Sequence, residues 1–167
     1  MKPGEHPEFF RFPAPEGRSR ESKIRLDGDG KFFDNGGYVE HAKLQQALHT
    51  WIGKHPDDGR YILTNGYDWT YFTVDDVPFF VRAIREQDGD AILVLSDATE
   101  EPLDPSTVTM GADGGLYLEI QHRVTDAARQ GPFKAKMSRH AQTQLGPFLK
   151  TDGDSVILAT KRGEHRM

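Results

Sequence analysis

The sequence predicts an α+β protein with a mainly antiparallel sheet, two helices and two structurally similar halves. Three observations carry that prediction. Asp-Gly pairs recur between apolar runs, at Asp27-Gly28, Asp29-Gly30, Asp58-Gly59, Asp88-Gly89, Asp113-Gly114 and Asp152-Gly153. Such a pair is a strong hairpin signal, because glycine accepts positive φ at no steric cost. Only two segments show helical spacing of apolar residues. Landmarks of the first half also return, in order, in the second.

Residues 1 to 22 carry Pro3, Pro7, Pro13, Pro15 and many charges, with Phe9, Phe10 and Phe12 as apolar anchors. Few apolar groups are there to offset the ordering entropy, so the segment is expected to be extended or mobile. Strands are expected at Lys23–Leu26, Lys31–Phe33, Arg60–Thr64, Asp68–Val74, Phe79–Arg85, Ala91–Leu95, Leu116–Gln121 and Ser155–Thr160. In Asp68–Val74, alternation puts Trp69, Tyr71 and Thr73 on one face and Thr70, Phe72 and Val74 on the other. Leu44, Ala47, Leu48, Trp51 and Ile52 form one helical stripe, with Gly53 as its C-cap. A second helix starts near the N-cap Ser138, with Ala141, Leu145, Phe148 and Leu149 as its stripe. Gly146-Pro147 should kink or split it, because proline removes a backbone donor.

The halves share a grammar. Asp29-Gly30-Lys31-Phe32-Phe33, His41-Ala42, Asp58-Gly59 and Ile62-Leu63 correspond to Asp113-Gly114-Gly115-Leu116-Tyr117, His140-Ala141, Asp152-Gly153 and Ile157-Leu158. Spacing between paired landmarks widens after the first, which places an insertion within residues 118 to 139. The pattern reads as a degenerate hairpin-helix-strand duplication. The organisation expected is a segment 1–22, an N-terminal half 23–104 and a C-terminal half 105–167.

Composition excludes several functions. The chain has 167 residues, 36% of them hydrophobic, and a formal net charge of −5. Phosphate binding needs a concentrated basic face. The C-terminal cluster Lys161, Arg162 and Arg166 reads as a solvated tail, so no nucleic acid is expected. No apolar run approaches the roughly 20 residues that cross a bilayer, and the N-terminus lacks a signal-peptide centre. No membrane partner and a cytoplasmic location are therefore expected. Zero cysteines exclude disulfides, thiolate metal sites and a cysteine nucleophile.

Catalytic and metal motifs are not found. Asp27, Asp29 and Asp34 suggest a calcium loop, but positions six and twelve counted from Asp27 are Phe32 and Tyr38, where glycine and glutamate are needed. Turn chemistry explains these aspartates. His41 and His49 share a helix but stand about 12 Å apart along its axis, too far for one ion. No serine sits in a strained glycine turn, and no phosphate loop or dinucleotide fingerprint is present. No cofactor, no metal and no catalytic residue are assigned.

The binding candidates are aromatic, basic and acidic. Tyr67, Trp69 and Tyr71 offer flat apolar area with polar handles. Lys134, Lys136 and Arg139 come from the other half, so an aromatic wall facing a cationic one would suit a small anionic molecule or an acidic protein partner. Asp75 and Asp76, before Val77-Pro78, could bind cations or act as acid and base, or could simply turn the chain. The leading expectation is a non-enzymatic ligand- or protein-binding regulatory module with a cleft between the halves. The alternatives are a small hydrolase or isomerase using Asp75, Asp76 or His140, and an oligomerising scaffold; a monomer or weak homodimer is expected.

A family resemblance adds to these expectations. Ile24-Arg25-Leu26-Asp27, Gly30-Lys31-Phe32-Phe33, the helix around Leu44 and Leu48, Asp58-Gly59-Arg60-Tyr61-Ile62-Leu63 and Val74-Asp75-Asp76-Val77-Pro78-Phe79 fall in order. The run resembles the bacterial family called domain of unknown function 1285. Gly131-Pro132-Phe133-Lys134-Ala135, leading to Ser138-Arg139 and the Leu145 helix, is a weaker match. His140 stands where that family commonly has proline, and the stretch 122 to 131 is longer than usual. The resemblance covers residues 22 to 160 and implies a two-domain α+β fold with similar halves and a role in signalling or ligand sensing. It brings no catalytic residues.

Overall fold

A computed structural model of the chain describes residues 2–121 and 126–167. Met1 of the N-terminal segment, and residues 122–125 of the long stretch, lie outside the described residues. The chain divides into two compact units. Unit 1 comprises Met1–Pro78 with Gln121–Gly131, and unit 2 comprises Phe79–Ile120 with Pro132–Met167.

Unit 1 contains β1 (Ile24–Leu26), β2 (Phe32–Asp34), β3 (Gly37–Tyr38), α1 (Ala42–Thr50), β4 (Ile52–Lys54), β5 (Tyr61–Thr64), β6 (Trp69–Tyr71) and β7 (Thr73–Val74). One sheet has the order β3-β2-β1-β7 and the other β4-β5-β6. All pairings are antiparallel except β1 with β7. Leu26, Phe32, Leu48, Ile52 and Phe72 are buried core residues.

Two expectations are corrected by these elements. The helix ends at Thr50, with Trp51 as its C-cap. Ile52 and Gly53 turn instead into a strand paired with Leu63 and Ile62. An apolar residue at helical spacing also fits a sheet, and the partner strand decides. Leu44 is consequently 42% exposed while His49 is buried beside Leu48. The run 68–74 is likewise not one strand. It leaves β5 after Tyr71 and joins β1 from Thr73 onward, so Trp69 and Phe72 are both buried despite opposite parity.

The N-terminal segment lies along unit 1 in two 3-10 turns, Pro3–Glu5 and Pro7–Arg11. Its apolar anchors divide. Phe10 is 2% exposed and packs with Ile62, Trp69 and Ala128, with Phe9 alongside, whereas Phe12 is 65% exposed. Residues 20–22 cover the free edge of β6. The Tyr71 N–H and the Thr70 hydroxyl both donate to the Arg20 carbonyl (2.7 Å each), and the Ser22 hydroxyl donates to the Tyr71 carbonyl (2.6 Å). Covering an edge in this way removes a template for unwanted strand pairing.

Unit 2 contains β8 (Phe79–Gln87), β9 (Asp90–Leu95), β10 (Glu100–Pro102), β11 (Thr109–Met110), β12 (Leu116–Ile120), β13 (Phe133–Met137), α2 (Arg139–Thr143), β14 (Leu149–Asp152), β15 (Ser155–Thr160) and β16 (Gly163–Arg166). A six-stranded sheet runs β10-β9-β8-β13-β12-β11, parallel at β8–β13 and otherwise antiparallel, and β14-β15-β16 form a meander. At the β8–β9 hairpin Asp88 and Gly89 both have positive φ (52° and 85°), the geometry for which an Asp-Gly turn is suited. Ser138 Oγ accepts from Ala141 N (3.0 Å) to cap α2. The helix then breaks, and Gly146–Phe148 forms a separate 3-10 turn, as Pro147 requires. Ala141, Leu145 and Phe148 are buried, while Leu149 is partly exposed and starts β14. The basic C-terminal residues are solvent-exposed, as expected, but ordered: Lys161 and Arg162 precede β16, with Arg162 on Asp90 (3.2 Å) and Arg166 of β16 on Asp152 (3.1 Å).

The protein is therefore α+β, with two α-helices among the described residues and mainly antiparallel sheets. Among the described residues no helix is long and apolar enough to cross a membrane.

Candidate functional site

The expected site residues separate by unit. Tyr67, Trp69, Tyr71, Asp75 and Asp76 belong to unit 1, and Lys134, Lys136, Arg139 and His140 to unit 2. Within unit 2, Lys134 and Lys136 lie two apart on β13, opposite Glu119 and Tyr117. Lys136 is engaged by Asp113 (3.1 Å) and lies 5.3 Å from the Tyr117 ring centre. The Asp113 carboxylate holds its ammonium above the usual lysine range. Arg139 and His140 lie on the first turn of α2.

Asp75 and Asp76 occupy the bend between β7 and β8. Asp75 is ion-paired with Arg25, whose guanidinium lies 4.7 Å from the Phe33 ring centre, and its N–H donates to the Leu26 carbonyl (2.9 Å). Asp27 also serves its turn: its Oδ1 accepts from the N–H groups of Asp29 and Lys31, each at 2.9 Å. Among the described residues no group of three or more His, Asp and Glu is arranged to hold a metal ion.

The aromatic residues do three different things. Tyr67 is 65% exposed, with the Lys2 ammonium 5.6 Å from its ring centre. Trp69 is 6% exposed and packs on Phe10, His55 and Tyr71, with the Arg20 guanidinium 4.5 Å from its ring. Tyr71 lies half-buried and donates its hydroxyl to Asp58 Oδ2 (2.7 Å). Burial, then the Asp58 hydrogen bond, pushes the Tyr71 phenol up to about 12.

That cluster brings together a histidine, two carboxylates and a tyrosine, a composition that can signal catalysis. Its hydrogen bonds point elsewhere. His55 is 7% exposed, Nδ1 accepts from the Asp57 N–H (3.1 Å), and Nε2 therefore carries the proton donated to the Phe10 carbonyl (2.9 Å). Both ring nitrogens are committed to backbone. Arg11 holds Asp57 (2.9 Å), and Arg60 holds Glu21 with two bonds (2.8 and 2.9 Å) while lying 3.7 Å from the Tyr71 ring centre. Hydrogen bonds from those guanidinium groups depress the Asp57 and Glu21 carboxyls. The network fastens the N-terminal segment to the loop between β4 and β5, and that loop to Tyr71 of β6. Nothing in the sequence singles out His55, one histidine among seven.

A second feature of unit 1 is a cleft of about 280 Å³. Four chain segments far apart in sequence build it. Lys2, Gly4 and Glu5 come from the first 3-10 turn and its N-cap, Thr50 and Trp51 from the end of α1, Thr64 to Gly66 from the end of β5 and the loop after it, and Asp126, Ala128 and Arg129 from the 3-10 turn near 127–129. The turn at Ala128 sits tightly on β4: a Cβ at Gly53 would lie 2.6 Å from the Ala128 carbonyl oxygen. The opposite wall is pinned by a backbone crossing. Gly4 N–H donates to the Gly66 carbonyl (2.8 Å), and a Cβ at Gly4 would come within 2.8 Å of Gly66 Cα. Lys2 Nζ donates to the Asn65 carbonyl (3.4 Å), and Arg129 Nε lies 3.8 Å from Asp126 Oδ2. Among the described residues the half-buried Glu5 carboxylate has no hydrogen-bond or ion-pair partner, and its Oε2 is buried. This cleft leaves no trace in the sequence, because no local pattern links its segments.

Comparison with known proteins bears on the fold. No protein-family model and no curated protein matches the chain. Two crystal structures do. One is a family protein of domain of unknown function 1285 from Silicibacter pomeroyi DSS-3, with a TM-score of 0.66 at 13% identity over 95% of this chain and 91% of that one. The other, of the same family, is from Shewanella baltica OS155, with a TM-score of 0.55 at 17% identity over 75% of this chain and 91% of that one. The likeness read from the Asp-Gly and Val-Asp-Asp-Val-Pro-Phe runs is thus met in three dimensions: this chain shares the fold of proteins of domain of unknown function 1285.

Proposed function

We propose that the protein is a non-enzymatic ligand-binding module of a regulatory kind, and that the cleft of unit 1 is its binding site. The observation that carries this reading is the Glu5 carboxylate, held at the wall of a 280 Å³ cleft with no partner among the described residues. An unsatisfied buried polar atom costs about 1–3 kcal/mol, and a ligand that supplies its missing partner recovers that cost on binding. The cleft is small beside the roughly 300–1,000 Å³ of ligand pockets in general, which favours a small ligand.

The convergence of His55, Asp58 and Tyr71 supports a binding rather than a catalytic reading. Its donors and acceptors are consumed in holding the chain together. A thermal-shift screen against metabolites, nucleotides, amines and metal ions tests the proposal. A true ligand at 100 times its dissociation constant adds about 2.7 kcal/mol. A complete screen without a shift would overturn the reading.

A further inference from the structure

The charges that line the cleft of unit 1 are unequally paired, and this bears on the kind of ligand the cleft selects. Arg129 Nε faces the Asp126 carboxylate at 3.8 Å, an ion pair too long for a hydrogen bond, and Lys2 lies on the Asn65 carbonyl and the Tyr67 ring. Among the described residues Glu5 has neither a hydrogen bond nor an ion pair to its carboxylate. Its main chain cannot drift away from the wall, because the Gly4–Gly66 crossing is a backbone contact with no room for a Cβ at Gly4. Half-buried Trp51 belongs to the same lining.

A carboxylate beside an aromatic ring is a pairing that recognises cations. The carboxylate supplies charge-assisted hydrogen bonds, and the ring face attracts positive charge through its quadrupole. An anionic ligand would meet Glu5 and Asp126 in a partly desolvated space, where like charges raise the cost of ionisation. A purely apolar ligand would leave Glu5 as it is. We infer that the ligand of this cleft is a small organic cation, a primary amine or a guanidine, whose N–H groups donate to Glu5 while its stem packs on Trp51. This inference rests on the binding role proposed for the cleft. It differs in sign from the anionic partner that the basic residues of β13 suggest.

Isothermal titration at neutral pH with butylamine, butylguanidine, butyrate and butanol tests the inference on the full chain. The two cations should bind and the other two should not, and Glu5→Gln should weaken both cations at least tenfold. Glu5→Gln should melt no lower than the wild type, since it exchanges a partnerless carboxylate for a neutral amide; this shows the variant to be folded. Trp51→Phe, which keeps a ring, should weaken the cations less than Glu5→Gln does. Equal cation binding by wild type and Glu5→Gln overturns the inference. Binding of butyrate or butanol as tight as that of the amines overturns the ligand class but leaves a binding cleft. If no probe binds while the thermal-shift screen finds a ligand, the ligand class again fails alone. If neither experiment finds a ligand, both readings fail.

Discussion

Truncating Phe10 to alanine should destabilise unit 1 far more than its place in a proline-rich, charged segment suggests. Phe10 is 2% exposed and fills a cluster with Ile62, Trp69 and Ala128. Its ring centre lies 5.1 Å from that of Phe9, 6.0 Å from His55 and 5.9 Å from Trp69. Phenylalanine-to-alanine changes at such sites cost about 3–5 kcal/mol. The lower end is expected if residues 2–22 shift to close the cavity. Phe12, at 65% exposure, is the internal control, and Phe12→Ala should stay within about 0.5 kcal/mol. Urea unfolding followed by near-ultraviolet circular dichroism measures the difference. Trypsin offers a second readout, because Arg11, Arg18 and Arg20 lie in the segment; Phe10→Ala should be cut there faster, and Phe12→Ala at the wild-type rate. Equal stability and equal cleavage of the two variants would refute the claim that this segment is part of the core.

Gly53→Ala should cost about 1–3 kcal/mol in denaturant unfolding, because its Cβ would meet the Ala128 carbonyl oxygen; an unchanged midpoint would contradict the tight seat of that turn. In an alkaline spectrophotometric titration Tyr71 should ionise near pH 12, a step that Tyr71→Phe removes. Its folded value is raised, so this contribution to stability is present below the usual tyrosine value of about 10 and is lost as pH rises through about 12. Asp57 and Glu21 behave oppositely. Their folded values are depressed, so the stability they contribute is present above the usual carboxyl range, about pH 4, and is lost as pH falls below it. Tryptic cleavage cannot follow that change at acid pH, but hydrogen exchange can, and should show residues 2–22 losing protection before β5.

Strands are legible in the sequence where turn chemistry and alternation agree. Ser155–Thr160 follows Asp152-Gly153 and forms the strand expected, and the Asp88-Gly89 hairpin has the expected left-handed backbone. Gly146-Pro147 breaks the second helix because Pro147 cannot donate to its ladder. The end of the first helix is ambiguous, because Ile52 suits a helical stripe and a sheet equally and only the distant Leu63 decides between them. Short polar strands such as Glu100–Pro102, Thr109–Met110 and Gly163–Arg166 have no apolar pattern to read. Trp69 reads from sequence as either a functional aromatic or a core one. Its burial depends on Phe10, which reaches it from the far end of unit 1's chain and so leaves no local periodicity. The cleft is hidden for the same reason, since Glu5, Trp51, Gly66 and Arg129 meet only in the fold.

The two tryptophans allow the most direct test of the central claim, because one lines the cleft and the other is packed in the core. Titration of ¹⁵N-labelled protein with butylamine should move the Trp51 indole N–H resonance in a saturable way and leave that of Trp69 in place. Movement of Trp69 alone, or of neither indole at saturating amine, would contradict a cation site in the cleft of unit 1.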